Sequence, residues 1–108
     1  MNYTYYTKLG KFQTNNGNAI PWDKLHSPNE ETPALELSNG FKQWRFEGNY
    51  HRLSGPARIW SEGERFFLNG FLYNFNEWVA NHPNIDIYLD AIGMTDITEK
   101  VIWLLKHK

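Results

Sequence analysis

Two segments of this 108-residue chain carry nearly the same alternation of apolar and polar residues. One reads PALELSNGFKQWRFEGNYHRLSG and the other reads PARIWSEGERFFLNGFLYN. Counterparts 23 positions apart are Pro33 and Pro56, Gly40 and Gly63, and Lys42 and Arg65; counterparts 22 positions apart are Trp44 and Phe66, Phe46 and Leu68, and Gly48 and Gly70. A period of this length predicts one supersecondary unit used more than once.

The first copy predicts a β-hairpin with Asn39-Gly40 as a two-residue loop, because both residues tolerate positive φ. Residues directly opposite one another share a face of the hairpin. With this loop, Leu35 pairs with Trp44 and Glu36 pairs with Gln43. The predicted apolar face holds Leu35, Leu37, Trp44 and Phe46, and the predicted polar face holds Glu36, Gln43 and Arg45.

The second copy predicts another hairpin, with Glu62-Gly63 as its loop. Its apolar face pairs Ile59 with Phe66 and Ala57 with Leu68. Its other face pairs Arg58 with Phe67 and Trp60 with Arg65. Arginine beside an aromatic ring favours cation–π contacts on that face, each contributing about 0.5–1 kcal/mol where partly exposed.

The N-terminal part gives a weaker pattern. Residues 2–9 are rich in aromatic and β-branched types and predict a first strand, which Gly10 and Lys11 interrupt. Residues 12–20 are either a degenerate copy of the repeat, with Asn16-Gly17 as its turn, or a chance match. Residues 23–33 are polar with two prolines and predict a loop. A surface connection is favoured there over an ordered functional loop.

Beyond Asn74 the apolar residues recur at the three- and four-residue spacing that is typical of helices. Asn74 or Asn76 is predicted to cap a short helix that ends before Pro83. Pro83 is predicted to occupy the first turn of a second helix, which ends at Gly93. Thr95 or Asp96 is predicted to start a third helix. The predicted buried positions are Ile85, Tyr88, Leu89 and Ile92 in the second helix and Ile97, Val101, Ile102, Leu104 and Leu105 in the third, with Trp103 at the margin.

These elements predict an α+β fold in one domain over residues 1–108. An antiparallel β-meander of repeated hairpins takes about residues 1–75, and a small helical tail takes residues 76–108. We expect the tail to pack on the apolar face of the sheet, because burial of apolar surface contributes about 25 cal/mol per Å² to the stability of the fold.

The repeated segment resembles the MORN-like variant repeats of small phage and bacterial proteins. The matching residues are Asn39, Gly40, Trp44, Gly48, His51, Arg52, Gly55, Pro56, Ala57, Gly63, Asn69 and Gly70. The sequence departs from the family pattern at Ser54, where Asp is usual, and at Tyr73-Asn74, where His-Arg would stand. The resemblance covers about two-fifths of the chain, implies an antiparallel β scaffold and carries over no catalytic residue.

Composition narrows the function classes. The chain is 41% hydrophobic and 17% aromatic, which favours a folded domain over a disordered one. Its net charge of −1 gives no global attraction for polyanions, and the absence of Cys excludes disulfides and thiol chemistry. No apolar run is long enough to cross a bilayer, and the N-terminus lacks the apolar core of a signal peptide. We therefore expect a cytoplasmic protein with no membrane association.

The sequence contains no strong catalytic or metal-binding motif. Its four histidines are far apart, so no metal site and no cofactor are expected. His51-Arg52 is the best catalytic pair, although its place inside the repeat favours a structural role. Asp86 and Asp90 share a helical face, for which solvation is a more frequent explanation than acid–base chemistry or cation binding.

The sequence therefore predicts a non-catalytic protein-binding module. The candidate binding residues are Trp44, Arg45, His51, Arg52, Arg58, Trp60, Arg65 and Phe67. Arg, Trp and Tyr dominate interface energies, and the family resemblance suggests a small phage inhibitor of a host defence protein. Nucleic-acid binding by Lys42, the arginines and the aromatic residues is the first alternative. A nucleotide-binding or hydrolytic protein around His51 and Arg52 is the second, and a homo-oligomer through a sheet edge is an alternative assembly.

Overall fold

A computed structural model describes residues 1–107. The strands are β1 Tyr3–Thr7, β2 Gly10–Thr14, β3 Leu35–Leu37, β4 Lys42–Gln43, β5 Arg45–Phe46, β6 Asn49–Tyr50, β7 Arg58–Trp60, β8 Gly63–Leu68 and β9 Phe71–Tyr73. The helices are α1 Phe75–Asn81, α2 Asp86–Ala91 and α3 Ile97–His107. The predicted α+β class is confirmed.

Seven strands form one antiparallel sheet in the order β2-β1-β3-β4-β7-β8-β9, and β5 with β6 forms a separate hairpin. The sheet is therefore not an uninterrupted meander, because the chain leaves it after β4 and returns at β7. Gly10 and Lys11, predicted to interrupt the first strand, begin β2 and pair with Thr7 and Tyr6. Asn16-Gly17 does not form a hairpin turn, since Gly17–Ala19 is a 3₁₀ helix capped by the Asn16 side chain.

The predicted pairing of the first hairpin is wrong by one residue. Leu35 lies opposite Gln43, and Leu37 donates its N–H to the carbonyl of Phe41. The loop therefore has three residues, Ser38 to Gly40, rather than two. A one-residue shift exchanges the faces of a strand, which places Gln43 on the buried side with Leu35.

The predicted pairing of the second hairpin is wrong by two residues. Arg58 lies opposite Arg65, and Trp60 lies opposite Gly63. The loop is Ser61-Glu62. A shift of two residues preserves the faces, so the prediction that Arg58, Trp60 and Arg65 share one side of the sheet holds.

Two small cores stabilise opposite faces of the sheet. The first consists of Ile20, Leu25, Ala34 and Leu35 with Tyr3, Tyr5 and Leu37 around it. Leu25 is fully buried, so the 23–33 segment contributes to the core and is not merely a surface connection. The second core joins Leu68 of β8 to Trp78 and Val79 of α1, on the face opposite Leu35. The molecule is accordingly elongated, 47 × 24 × 22 Å.

The helix boundaries agree closely with the sequence. Asn74 caps α1, and its side chain and that of Glu77 form a capping box. Asp96 accepts a hydrogen bond from the Glu99 N–H at the start of α3. Pro83 lies ahead of α2 rather than in its first turn.

The predicted buried face of α3 is wrong. Ile97, Val101, Ile102 and Leu105 are 78%, 50%, 49% and 77% exposed. Trp103 instead turns inward, where its ring contacts Phe75 and Tyr88. Helix α1 packs on the sheet at β8 and β9, and Tyr88 of α2 and Trp103 of α3 join the same aromatic cluster.

Candidate functional site

Four residues form a continuous stack of alternating aromatic and guanidinium groups on one side of the sheet. They are Phe41, Arg58, Trp60 and Arg65, and we call them the basic–aromatic face. The Arg58 guanidinium carbon lies 5.4 Å from the Phe41 ring centroid and 4.8 Å from that of Trp60. The Arg65 guanidinium carbon lies 5.0 Å from the centroid of the same Trp60 ring. Cross-strand pairing of Arg58 with Arg65 places both cations on this side.

The charge of this face is not neutralised by the protein. Within residues 1–107, neither Arg58 nor Arg65 forms an ion pair, whereas lysines elsewhere do. Glu64 pairs with Ile59 and therefore lies on the opposite side of the sheet. Arg65 is exposed and bonds only a backbone carbonyl, that of Glu64, and Arg58 Nε is buried without a partner. The exposed guanidinium group of Arg65 thus keeps donors available for an anionic or polar ligand.

Arg45 and Phe67 belong to a second stack around Tyr50, although Phe67 lies on the same side of β8 as Arg65. The Arg45 guanidinium lies 4.1 Å from the Tyr50 ring centroid, and the Tyr50 ring stacks on Phe67 at 4.6 Å. Arg45 also donates to the Gly48 carbonyl at 2.6 Å and to the Gln43 side chain at 2.9 Å. These contacts fasten the β5–β6 hairpin to the main sheet.

Trp44 and Arg52 form a third, interior pair. The Arg52 guanidinium carbon lies 3.7 Å from the centroid of Trp44, which is 4% exposed. Arg52 Nε donates to the Glu30 carbonyl at 3.0 Å and Nη1 to the Pro56 carbonyl at 3.1 Å. Burial lowers the pKa of Arg52, with the charge of Glu30 acting in the opposite direction. This arginine serves the fold rather than an exposed surface.

His51 uses a ring nitrogen to support a turn. Its Nδ1 accepts the Asn69 N–H at 3.0 Å, and Asn69 has a positive φ of 50°. Burial lowers the pKa of His51. His26 supports a second turn in the same way as His51. Its Nδ1 accepts the Glu47 N–H at 3.0 Å, and Glu47 has a positive φ of 48°. No motif marks His26 in the sequence, although Leu25-His26 and Tyr50-His51 each place an apolar residue before the histidine.

Glu30 is a further residue that the sequence reasoning missed. One carboxylate oxygen accepts the N–H groups of both Leu53 and Ser54 at 2.7 Å. His82 holds the same segment from the other side, with Nε2 2.6 Å from the Leu53 carbonyl. A single glutamate in a polar loop has no periodicity or motif to mark it. Its role depends on the tertiary position of residues 52–55.

The acidic helical residues are partly paired. Lys100 lies 2.7 Å from Asp90 and 3.6 Å from Asp86. No group of three His, Asp or Glu side chains among residues 1–107 is arranged to hold a metal ion. None of the helices in the same range is long and apolar enough to cross a bilayer.

The eight predicted binding residues therefore do not form one site. Arg58, Trp60 and Arg65 come together on an accessible surface, where Phe41 joins them. Trp44, Arg45 and His51 line a separate pocket beside residues 26–30, where their contacts are mainly with the backbone and with neighbouring rings. Comparison with known proteins finds no matching family model, no similar curated protein and no similar solved structure.

Proposed function

We propose that this protein is a non-catalytic binding module that recognises another protein through the basic–aromatic face. The observation that carries the proposal is the placement of two guanidinium groups without ion pairs, those of Arg58 and Arg65, at 4.8 and 5.0 Å from the Trp60 ring centroid. Stacking restrains the arginine side chains before a partner arrives, which reduces the conformational entropy lost on binding. Arg and Trp are also the residue types that most often dominate interface energies.

The chemistry of the face defines the partner surface. Exposed guanidinium groups bind carboxylates in a bidentate geometry, and the Trp60 and Phe41 rings offer apolar area between the charges. The complementary surface is acidic with an apolar centre. Because the net charge of the chain is −1, the attraction is local to this face and not a property of the whole molecule.

The backbone contacts of His51 and Arg52 support a non-catalytic role. His51 Nδ1 is occupied by the Asn69 N–H, and the Arg52 guanidinium bonds two backbone carbonyls against Trp44. A general base must be within hydrogen-bond reach of a substrate proton, and a positioning arginine needs free donors. The contacts of this pair are those of fold-stabilising residues.

The resemblance to MORN-like variant repeats supports a narrower form of the proposal. In this form the chain is encoded by a phage, acts in the host bacterial cytoplasm and inhibits a host defence protein. Fold-level analogy is the only support for this form, so it is tested separately from the binding face. Identification of the partner decides it: a host defence protein supports inhibition, and a protein of another pathway overturns it.

The experiment is a pull-down from nuclease-treated bacterial lysate at moderate salt, read by mass spectrometry. It compares the tagged wild-type protein with the double variant R58A/R65A. The matched control is K11A/K24A, which removes two exposed positive charges that lie off the face. A protein captured by the wild type and the control but lost with R58A/R65A supports the proposal. Equal capture by all three proteins overturns it.

Nucleic-acid binding is the second candidate function. The observation that favours it is the position of Glu64 on the opposite side of the sheet from Arg58 and Arg65, together with the Trp60 ring, on which a base can stack. Two arginine–phosphate contacts to a single strand give a slope of log K against log salt of about −1.4. Fluorescence anisotropy of a labelled oligonucleotide across a salt series measures this slope. No binding at the lowest salt overturns this candidate.

A further inference from the structure

Helix α3 presents an apolar stripe to solvent along most of its length. Ile97, Val101 and Leu105 follow one another at intervals of four residues, and Ile102 lies beside them. Their exposures are 78%, 50%, 77% and 49%. Residues four apart lie on the same side of a helix, so these side chains form one ridge.

The part of the chain that the structure describes, residues 1–107, leaves this ridge uncovered. The side of α3 that faces the protein carries Lys100, Trp103 and His107, which are half-buried, and the half-buried Leu104 lies between this side and the ridge. Trp103 and His107 contact the aromatic cluster around Phe75, and Lys100 pairs with Asp90 of α2. Helix α3 is therefore held through one side and leaves four aliphatic side chains outside. Exposed patches of several hundred Å² on a single chain commonly mark a contact surface.

The charges beside the ridge indicate what covers it. Glu99 and Lys106 are exposed and lie seven residues apart, next to Ile102 and on the same flank of the helix. When two identical helices pair in antiparallel orientation about a two-fold axis, each flank meets the same flank of its partner. Glu99 of each copy then lies near Lys106 of the other. A parallel pairing would set this flank against the opposite one, which carries Lys100 and His107.

The helix termini favour the same orientation. The first turn of α3 contains Glu99 after Asp96, and the last turn contains Lys106 and His107. Antiparallel pairing places the acidic, N-terminal turn of each helix beside the basic, C-terminal turn of the other. The helix dipoles oppose one another in this arrangement, which is favourable.

We propose that a second copy of this chain covers the ridge, giving a two-fold homodimer through antiparallel α3 helices with Glu99–Lys106 pairs at both ends. Four partly exposed aliphatic side chains from each copy contribute on the order of 800 Å² in total, below the roughly 1,200–2,000 Å² of stable interfaces. The dimer is therefore weak and concentration-dependent. It uses neither a sheet edge nor the basic–aromatic face.

Sedimentation velocity over a concentration series from low micromolar to near-millimolar tests the pairing. We expect the wild-type protein to shift from monomer to dimer across this series, and V101E to remain monomeric. The control is L9E, which places the same charge at Leu9, an aliphatic residue that is 90% exposed in the β1–β2 turn. L9E is expected to dimerise like the wild type. Circular dichroism verifies that each variant is folded.

A charge exchange tests the orientation. E99K and K106E each place like charges opposite one another and are expected to weaken the dimer about tenfold. The double variant E99K/K106E restores opposite charges at both ends and is expected to recover wild-type association. Failure of the double variant to recover association overturns the antiparallel arrangement.

Two results overturn the homodimer itself. A wild-type protein that remains monomeric at every concentration leaves the ridge to a different partner. A dimer that persists in V101E forms through another surface, such as an edge strand.

Discussion

The guanidinium carbon of Arg52 lies 3.7 Å from the centroid of Trp44, inside the protein. This pair connects three parts of the chain, because Arg52 also bonds the carbonyls of Glu30 and Pro56. An ideal Cβ added to Gly55 would lie 3.3 Å from Arg52 Nη1, so the guanidinium is enclosed on that side as well. Residues from the 23–33 segment and both hairpins thus meet at one side chain.

Replacement of Arg52 by lysine is expected to lower the free energy of unfolding by about 2–3 kcal/mol, even though the charge is retained. An ammonium group has no planar fork to stack on Trp44 and to reach two carbonyls at once. Urea unfolding followed by circular dichroism measures the change. The control is R65K on the exposed surface, for which a change within about 0.5 kcal/mol is expected. Equal losses for the two variants would show that the interior contacts of Arg52 contribute no more than a surface cation does.

Alanine substitutions at Gly48 and Gly40 distinguish the cost of backbone strain from the cost of steric overlap. Gly48 has φ +86°, and a Cβ there would overlap the Asp23 carbonyl. Gly40 has φ +93°, with no atom within 4 Å of the added Cβ. We expect G48A to destabilise the protein by about 3 kcal/mol through strain and collision, and G40A by about 1 kcal/mol through strain alone. Thermal unfolding of both variants measures the difference, and a G40A loss as large as that of G48A contradicts the close approach of Gly48 to Asp23.

Stability is expected to decrease as pH falls below neutrality, because burial lowers the pKa values of His51 and His82. His82 Nδ1 accepts the Asn84 N–H at 2.9 Å and His51 Nδ1 accepts the Asn69 N–H, so protonation breaks a hydrogen bond in each case. In the unfolded chain the two histidines bind protons from about pH 6.5 downward, whereas in the folded chain they bind protons only at lower pH. Stability is therefore full above that pH and decreases until the lower, folded-state pKa values are reached.

Urea unfolding at several pH values from 7.5 to about 4.5 measures this dependence around the reference histidine pKa. The double variant H51Q/H82Q is expected to be less stable than the wild type at neutral pH but to show a shallower slope below it. A slope unchanged by both substitutions would assign the pH dependence to other groups.

The sequence predicted the faces of the second hairpin correctly and those of the first incorrectly, and the difference lies in the size of the register error. Both predictions assumed two-residue loops. In the second hairpin the error was two residues, which leaves Arg58, Trp60 and Arg65 on one side. In the first, Asn39 accepts the Phe41 N–H through its side chain and forms a three-residue loop, so the error was one residue. A turn signal alone does not distinguish these loops.

Helix α3 illustrates a second limit of sequence reasoning. Its residues offer two apolar sides, one along Ile97, Val101 and Leu105 and the other at Trp103, with Leu104 between them. Counting aliphatic residues favours the first, but the aromatic cluster of Phe75 and Tyr88 selects Trp103. That cluster forms only when α1 and α2 are in place. Tertiary position also explains two errors in the predicted site. Glu30 was missed because its partners Leu53 and Ser54 are distant in sequence, and Arg52 was predicted to bind a partner although it is an interior residue.

If the basic–aromatic face binds a protein partner, replacement of the ring at its centre should abolish capture of that partner. Quantitative mass spectrometry compares the partner recovered from nuclease-treated lysate by the wild type, by W60A, by R58A and by W22A. Trp22 is the matched control, since it is 44% exposed and lies in the other stack, 5.7 Å from the Arg45 guanidinium. We expect W60A to reduce recovery about tenfold or more and W22A to leave it unchanged. Full recovery with W60A and with R58A would contradict the claim and remove this face as the binding surface.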